Sequence, residues 1–180
     1  MSPTKPTPSN IMVAVRLRPL WKNETDNNEV SIVKILDEKL VILRDPQDFD
    51  DEKNELRKNR TREKRYAFDF AFDETTETDR VFQVTAMNLC GAVLEGFNST
   101  VFAYGATGAG KTHTMLGNAD KPGIMFQTMK ELFRIKNQFT DRDYSLRISF
   151  LEIYNETIWD LIAEPLNSPN IGNGPNQQHN

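Results

Sequence analysis

The chain has 180 residues, of which 38% are hydrophobic and 27% charged, and its formal net charge is −4. This length suits one domain with a buried core, and the negative charge argues against a generally nucleic-acid-binding surface. A single cysteine excludes an intramolecular disulfide, and no apolar run approaches the length of a membrane span, so we expect a cytosolic protein.

The first part of the chain predicts a tail followed by short strands. Residues 1–10 contain three prolines and no apolar segment of the signal-peptide type, so we expect a disordered tail. Residues 11–15 are all apolar and predict a buried strand. Residues 30–43 predict two short strands that turn near Asp37 and Glu38.

A charged segment follows at residues 45–65. Residues 45–52 carry five acidic side chains and no basic one, and residues 53–65 carry seven basic against two acidic side chains, a net charge of +5. The basic residues are Lys53, Arg57, Lys58, Arg60, Arg62, Lys64 and Arg65. A solvated charged loop is one interpretation of this pattern, and a surface that attracts an acidic partner is the other.

A strand and a helix are predicted between this segment and the middle of the chain. Residues 66–72 are rich in aromatic residues and predict a strand. Thr76 to Asp79 have a capping-box pattern, which predicts the start of a helix that ends at Gly96. Cys90 lies on this helix, where we expect it to be a buried small hydrophobic residue. The residues predicted to share the buried face are Phe82, Ala86, Leu89 and Val93.

A complete phosphate-binding pattern, G-x-x-x-x-G-K-[S/T], follows the apolar run at residues 100–104. Its residues are Gly105, Ala106, Thr107, Gly108, Ala109, Gly110, Lys111 and Thr112. The glycines let successive N–H groups converge on phosphate oxygens, Lys111 adds a cation, and the Thr112 hydroxyl can ligate Mg²⁺. The run predicts a strand, and residues 111–116 predict a helix that stops at Gly117. This order of strand, loop and helix favours nucleotide binding over a chance match.

The rest of the chain predicts a helix, a strand, a short helix and a tail. An amphipathic helix follows Gly123, with a predicted inward face formed by Met125, Met129, Leu132 and Phe133. Residues 144–150 alternate apolar and polar, which predicts a half-buried strand, and Asn155 is predicted to cap a short helix. Residues 164–180 are rich in Asn, Pro and Gly and predict a disordered tail. The order of elements indicates an α/β layered fold with the nucleotide at the carboxyl end of its central strands.

Four segments, in order, resemble the kinesin motor domain. Residues 98–117 closely resemble its nucleotide-binding segment, and residues 13–20 resemble its first strand with an R-x-R-P pattern. Residues 66–73 resemble the strand before its first long helix, and residues 149–156 resemble its S-Y-x-E-I-Y-N-E segment. The resemblance covers residues 11–163. It implies a three-layer P-loop NTPase fold with a central, mostly parallel or mixed sheet, here incomplete.

The resemblance implies a site for ATP with Mg²⁺. Arg16, Arg18 and Pro19 match the R-x-R-P pattern that contacts adenine, and His113 matches the residue whose ring stacks on the base. With the eight loop residues they form the expected nucleotide site, in which Thr112 is the metal ligand. Ala106 replaces the Gln that most kinesins carry, and we do not interpret it as a loss of binding. No catalytic residue is assigned.

The resemblance also implies microtubules, and hence tubulin, as the partner, with a location in the cytoplasm on the cytoskeleton. Microtubules are strongly acidic, so the basic loop would gain affinity from their field. The long basic loop, Ala106 and residues 115–117 most resemble the plus-end-directed kinesins that also destabilise microtubule ends. Neither a nucleic acid nor a membrane span is expected, and a homodimer is one alternative for the full-length protein.

No switch segment of the Asp-x-x-Gly or Ser-Ser-Arg type is assigned after the loop, so residues 11–163 resemble the N-terminal half of a motor domain that is inactive alone. Three functions stay open. The first is the ATP-binding part of a kinesin-type motor. The second is a short non-motor protein that binds tubulin through residues 53–65, with little or no ATPase activity. The third is an unrelated P-loop enzyme such as a small kinase, which the four ordered matches disfavour.

Overall fold

The computed structural model describes three stretches of the chain, residues 11–44, 63–140 and 142–163. These stretches fall into two compact units that divide after Thr140. The predicted tails at residues 1–10 and 164–180 lie outside the described residues, and so do residues 45–62 of the charged segment. Their predicted roles therefore stay predictions.

The described part of the first unit contains two small sheets. Their strands are β1 (Ala14–Arg16), β2 (Val33–Ile35), β3 (Leu40–Leu43), β4 (Lys64–Ala67) and β5 (Phe70–Phe72). β1 and β5 pair in parallel, and β2, β3 and β4 form an antiparallel sheet in that order. The Asp37 carboxylate accepts the backbone N–H groups of Lys39 and Leu40, each at 2.8 Å. The two strands and the turn predicted for residues 30–43 are thus confirmed.

The single strand predicted at residues 66–72 is wrong, because β4 and β5 belong to different sheets. Asp69 lies between them and is bonded twice to Val13. Its N–H donates to the Val13 carbonyl at 3.0 Å, and its carboxylate accepts the Val13 N–H at 2.8 Å. These bonds turn the chain out of the antiparallel sheet and into the parallel pair.

The described part of the first unit also contains five helices. They are α1 (Lys22–Asp26), α2 (Thr78–Thr85), α3 (Met87–Leu94), α4 (Lys111–Met115) and α5 (Ile124–Lys136). The core lies between β5 and helices α2, α3 and α5, and Met115 of α4 packs against it. Its buried residues are Phe72, Val81, Phe82, Ala86, Cys90 and Ile124. Cys90 is 2% exposed, which confirms its predicted role.

The helix predicted from Thr76 to Gly96 is divided at Ala86, and its capping box does not form. Glu77 is the N-cap of α2 and makes no side-chain capping hydrogen bond. The Thr76 hydroxyl donates instead to the Asp73 carboxylate at 2.7 Å. The preceding turn therefore uses the hydroxyl that the capping box required.

The predicted end of this helix at Gly96 is confirmed. Gly96 has a φ of 99°, in the left-handed region that glycine adopts without strain. Its N–H donates to the Val93 carbonyl, and the Phe97 N–H donates to the Ala92 carbonyl, both at 3.0 Å. This pair of bonds is the Schellman motif, which satisfies the last carbonyls of α3.

Two apolar runs predicted to be strands are largely exposed. The strand predicted at residues 11–15 begins only at Ala14, and Ile11 before it is 72% exposed. Residues 100–104 form no strand, and Phe102 and Tyr104 are 79% and 95% exposed. Among the described residues, β1 has one strand neighbour and residues 100–104 have none. Apolar composition predicts a strand only where a second strand completes its hydrogen bonds.

Helix α5 buries a different face from the predicted one. Of the four predicted inward residues, Leu132 packs against the core, together with Ile124 and Ile135. The other three, Met125, Met129 and Phe133, are exposed. The helix packs against α2, α3 and α4 with Ile124, Leu132 and Ile135 at the core, and its other apolar residues named above are exposed.

The described part of the second unit is a hairpin of β6 (Leu151–Tyr154) and β7 (Thr157–Asp160). The short helix predicted at Asn155 is therefore wrong, because Asn155 and Glu156 form the turn with φ values of 48° and 60°. Positive φ at both central residues is typical of a type I′ hairpin turn, and Asn is favoured there. The strand predicted at residues 144–150 is also wrong, because the strand begins at Leu151.

The predicted α/β class is shown in its coarse form, as helices combined with small sheets. In place of the predicted central sheet, the described residues contain the parallel pair β1 and β5. This pair lies next to the helical core, since Phe70 and Phe72 of β5 both contact that core.

Candidate functional site

The phosphate-binding pattern forms a loop that runs directly into α4. Gly110 is the N-cap of α4 with a φ of 90°, and Gly108 has a φ of 80°. Other residues adopt this left-handed region only with strain, so the two glycines are required by the backbone itself. The Ala109 N–H donates to the Ala106 carbonyl at 3.1 Å, which closes the loop into a tight turn.

The Lys111 side chain folds back over the loop. Its Nζ donates to the carbonyl oxygens of Gly105 at 2.9 Å and of Ala106 at 2.8 Å. The ammonium group is therefore held by the first two carbonyls of the loop itself. A cation at the start of a helix, beside a glycine-rich turn, is an arrangement suited to a polyphosphate.

Thr112 and His113 occupy the exposed side of α4. The described residues contain no group of three or more His, Cys, Asp or Glu side chains that could hold a metal ion. Thr112 alone offers one hydroxyl oxygen, whereas Mg²⁺ takes six oxygen ligands. This single donor fits a Mg²⁺ ion that is bound partly by the protein and partly by the phosphates of a nucleotide. It does not fit a metal ion that is bound by the protein alone.

Arg16 ends β1 and points its guanidinium at two helices. Its Nη1 donates to the hydroxyls of Thr78 at 3.1 Å and Thr114 at 3.0 Å, and its Nη2 donates to the Thr76 carbonyl at 3.0 Å. Partial burial lowers the pKa of Arg16, and the nearby charge of Glu77 opposes that shift. All three acceptors are neutral oxygens.

Arg18, two residues further on, has a different environment. Its guanidinium forms a bidentate pair with the Glu24 carboxylate at 2.7 and 2.5 Å and lies 5.5 Å from the centre of the Trp21 ring. Hydrogen bonds from Arg18 and from the Trp21 N–H lower the pKa of Glu24 to about 2. The R-x-R-P segment also lies beside the phosphate loop, because a Cβ placed on Gly110 would be 3.9 Å from the Arg18 Cβ. Pro19 follows Arg18 in the chain, and its carbonyl accepts a hydrogen bond from Arg18 Nη1 at 2.9 Å.

Glu77, at the start of α2, interacts with three basic residues near α4, namely Lys121, Arg16 and His113. Its carboxylate accepts hydrogen bonds from Lys121 Nζ at 2.9 and 3.1 Å. This pair lowers the pKa of Glu77 most, and the charges of Arg16 and His113 lower it further. The sequence patterns did not single out Glu77, Lys121 or Thr114. The only sequence feature that could have indicated these three residues is their position, within two residues of the start or end of a predicted helix.

Residues Asp120 to Gly123 have the spacing Asp-x-x-Gly of one type of switch segment, and no switch role is assigned to them. They lie in a turn closed by the Gly123 N–H, which donates to the Leu116 carbonyl at 2.8 Å. The Asn118 side chain accepts the N–H groups of Asp120 and Lys121 at 3.1 and 2.7 Å. The tetrapeptide thus connects α4 to α5 and is not preceded by a strand.

Two other features lie away from the phosphate loop. A cavity of about 260 Å³ is bounded by the β2–β3 turn, β5 and the start of α2, and it includes no residue of the loop. Of the basic loop, the structure describes only Glu63 to Arg65. The Arg44 Nε lies 3.2 Å from Glu63 Oε1, so an ion pair joins the chain just before and just after residues 45–62.

No helix in the described stretches is long and apolar enough to cross a membrane.

Comparison with known proteins places this arrangement in context. A family model described as the kinesin motor domain matches residues 16–179. Kinesin-like protein KIF19 from Homo sapiens is 46% identical over 157 residues, which are 87% of this chain and 16% of the relative. Kinesin-like protein KIN-8A from Arabidopsis thaliana is 44% identical over 86% of this chain and 21% of the relative. Kinesin-related protein 10 from Dictyostelium discoideum is 39% identical over 96% of this chain and 14% of the relative.

Proposed function

The chain belongs to the kinesin motor-domain family, and on that premise we propose that it is the ATP-binding part of a microtubule motor. The chain spans between 14% and 21% of the length of the three relatives above. The activity of the whole protein, ATP hydrolysis coupled to movement on microtubules or to their destabilisation, is therefore part of the proposal. So are its location on the cytoskeleton and its tubulin partner.

The position of Lys111 supports the proposal most strongly. Its ammonium group is held by the loop carbonyls of Gly105 and Ala106. A polyphosphate oxygen is a stronger acceptor for an ammonium than a neutral carbonyl, so an arriving nucleotide would take over these donors. Gly108 and Gly110 already have the backbone conformation that such a loop requires, and little reorganisation would accompany binding.

Thr112, His113 and the R-x-R-P segment complete the proposed site. Thr112 would ligate the Mg²⁺ that accompanies the phosphates, and this ion would neutralise charge on the transferred group. His113 is exposed on the same helix, where its ring is accessible to a base. Arg18 borders the loop two residues after the end of β1, and Pro19 follows it, so we assign the adenine edge to the segment Arg16 to Pro19.

We assign no residue of this chain to the activation of water. Hydrolysis requires groups that orient the attacking water and stabilise charge at the γ-phosphate. The described loop residues bind and orient phosphates, and Asp120 in the Asp-x-x-Gly spacing lies in the turn after α4. The proposal therefore gives this chain the binding step and assigns no catalytic residue.

The test is a titration of fluorescent ATP against an intact motor that carries this segment. Lys111→Ala should weaken ATP binding by about 1.5–3 kcal/mol, the value of one charge-assisted hydrogen bond. Lys130→Ala is the matched control, because Lys130 is an exposed lysine on α5 outside the proposed site. Equal affinities of the Lys111→Ala variant and the parent would reject the phosphate-loop assignment.

A further inference from the structure

Arg16 has contacts that differ from those expected of a residue that contacts a base. Its guanidinium makes three hydrogen bonds, to Thr76, Thr78 and Thr114, at 3.0–3.1 Å. Thr114 belongs to α4, the helix that follows the phosphate loop, and the other two belong to the start of α2. One planar side chain thus joins three elements, β1, α2 and α4.

Helix α4 needs such an external support. It has only five residues, and an isolated helix of that length is not stable in water. The Thr114 N–H donates to the Gly110 carbonyl at 3.0 Å, so the position of Thr114 determines that of the last glycine of the loop. At the other end of the contact, Thr78 is 4% exposed and lies one helical turn before Val81, a buried core residue of α2. The start of α2 is therefore a rigid anchor.

The chemistry of the contact requires arginine. Two hydroxyls and a carbonyl in different directions match the fixed fork of a guanidinium, which presents five donors in one plane. Lys121, in the turn after α4, makes a second and more exposed link to the start of α2, through its ion pair with Glu77 at 2.9 Å. This second link lies after α4, so it cannot fix the loop end of the helix.

We propose that Arg16 is a positioning residue of the phosphate loop, which holds α4 against the start of α2 through the Thr114 hydroxyl. This inference rests on the proposed function. It makes the Arg16 guanidinium act on the phosphates of the nucleotide through Thr114 and α4. Thr114 becomes part of the nucleotide site although it contacts no nucleotide.

The experiment compares two ligands in an intact motor that carries this segment. ATP and inorganic tripolyphosphate, each with Mg²⁺, compete against fluorescent ATP, and only ATP has a base. Arg16→Ala should lower the affinity for both ligands by the same factor, about tenfold. Thr114→Val removes only the hydroxyl and should give a similar equal loss, whereas Thr114→Ser keeps the hydroxyl and should restore most of the affinity.

A coupled effect is the sharper prediction. Because both side chains act through one hydrogen bond, the double variant Arg16→Ala/Thr114→Val should be no weaker than Arg16→Ala alone. Arg134→Ala is the matched control, since Arg134 is an exposed arginine of α5 paired with Glu131. Its affinities for both ligands should equal those of the parent.

Three results would overturn the inference. A loss of ATP affinity with unchanged tripolyphosphate affinity would make Arg16 a base contact. Lower unfolding temperatures with unchanged affinities would make the contact merely structural. If Arg16→Ala does not fold, Thr114→Val and Thr114→Ser decide alone, and equal affinities of these two variants would count against the proposal. The Lys111→Ala variant distinguishes a failure of this inference from a failure of the proposed function. An unchanged ATP affinity in that variant would reject the nucleotide site itself.

Discussion

The helical core of the first unit and the segment that leads into the phosphate loop are both apolar in sequence but have opposite environments. Phe82 of α2 is buried against β5, α3 and α5, whereas Phe102 and Tyr104 are the most exposed aromatic residues among those described. Both regions satisfy the same sequence rule for buried elements. The difference is that the described residues include helices and a strand that pack against Phe82, but no strand that pairs with residues 100–104.

The described residues include no strand partner for residues 100–104. An extended apolar segment next to a functional loop exposes backbone donors and acceptors as well as side chains. The exposed side of α5, with Met125, Met129 and Phe133, has the same character. The relatives are several times longer than this chain. The proposed function therefore predicts that the covering strands and helices are supplied by the rest of the motor.

The largest effect that tests this contrast is expected in residues 1–180 expressed alone. We predict a poorly soluble or partly unfolded product, because exposed apolar surface and open strand edges promote aggregation. In the soluble fraction, amides of residues 100–104 should exchange hydrogen at least about a hundredfold faster than those of α2. Phosphate release should show no stimulation by microtubules, since no residue here is assigned to the activation of water.

Two findings would contradict this prediction. A monodisperse monomer with strong protection at residues 100–104 would mean that the chain is a self-sufficient domain. Stimulated phosphate release would mean that the chain itself positions the attacking water, which would give Asp120 or another unassigned group a catalytic role.

A smaller effect compares two phenylalanines in an intact motor that carries this segment. Phe82→Ala should lower the free energy of unfolding by about 3–5 kcal/mol, the usual cost of removing a buried ring. Phe102→Ala should cost a similar amount if the rest of the motor covers it. Denaturant unfolding measures both values. A cost below about 0.5 kcal/mol for Phe102→Ala would show that this residue is exposed in the motor as well.

The sequence predicted best what depends on residues close together in the chain. The turn at Asp37, the helix end at Gly96 and the buried Cys90 are all confirmed. Each rests on local chemistry, such as a carboxylate that accepts neighbouring N–H groups or a glycine with a positive φ. The backbone of the phosphate loop follows the same logic, because its glycines stand where the turn needs them.

The predictions that failed depend on partners that the pattern does not identify. Residues 66–72 have one alternation but enter two sheets, because Asp69 binds Val13. Asn155 suited a helix cap and a hairpin turn equally, and the strand pairing of its neighbours decided for the turn. Arg16 shows the same limit in the site. The R-x-R-P pattern predicted a contact of Arg16 with adenine, but only the fold brings its side chain to Thr114.

The smallest expected effect concerns the basic loop, whose partner would also lie outside this chain. Replacing Lys53, Arg57, Lys58, Arg60 and Arg62 with neutral residues should lower microtubule affinity and flatten its dependence on salt, because exposed charges act through a screened field. Cosedimentation across a salt series measures both. A matched control neutralises five lysines of the described surface, namely Lys22, Lys34, Lys39, Lys130 and Lys136. An unchanged salt slope in the loop variant would mean that the loop is solvated surface. Microtubule binding that is lost in the loop variant but does not depend on nucleotide would instead support a non-motor tubulin-binding protein. A motor couples its microtubule affinity to the nucleotide that its phosphate loop binds.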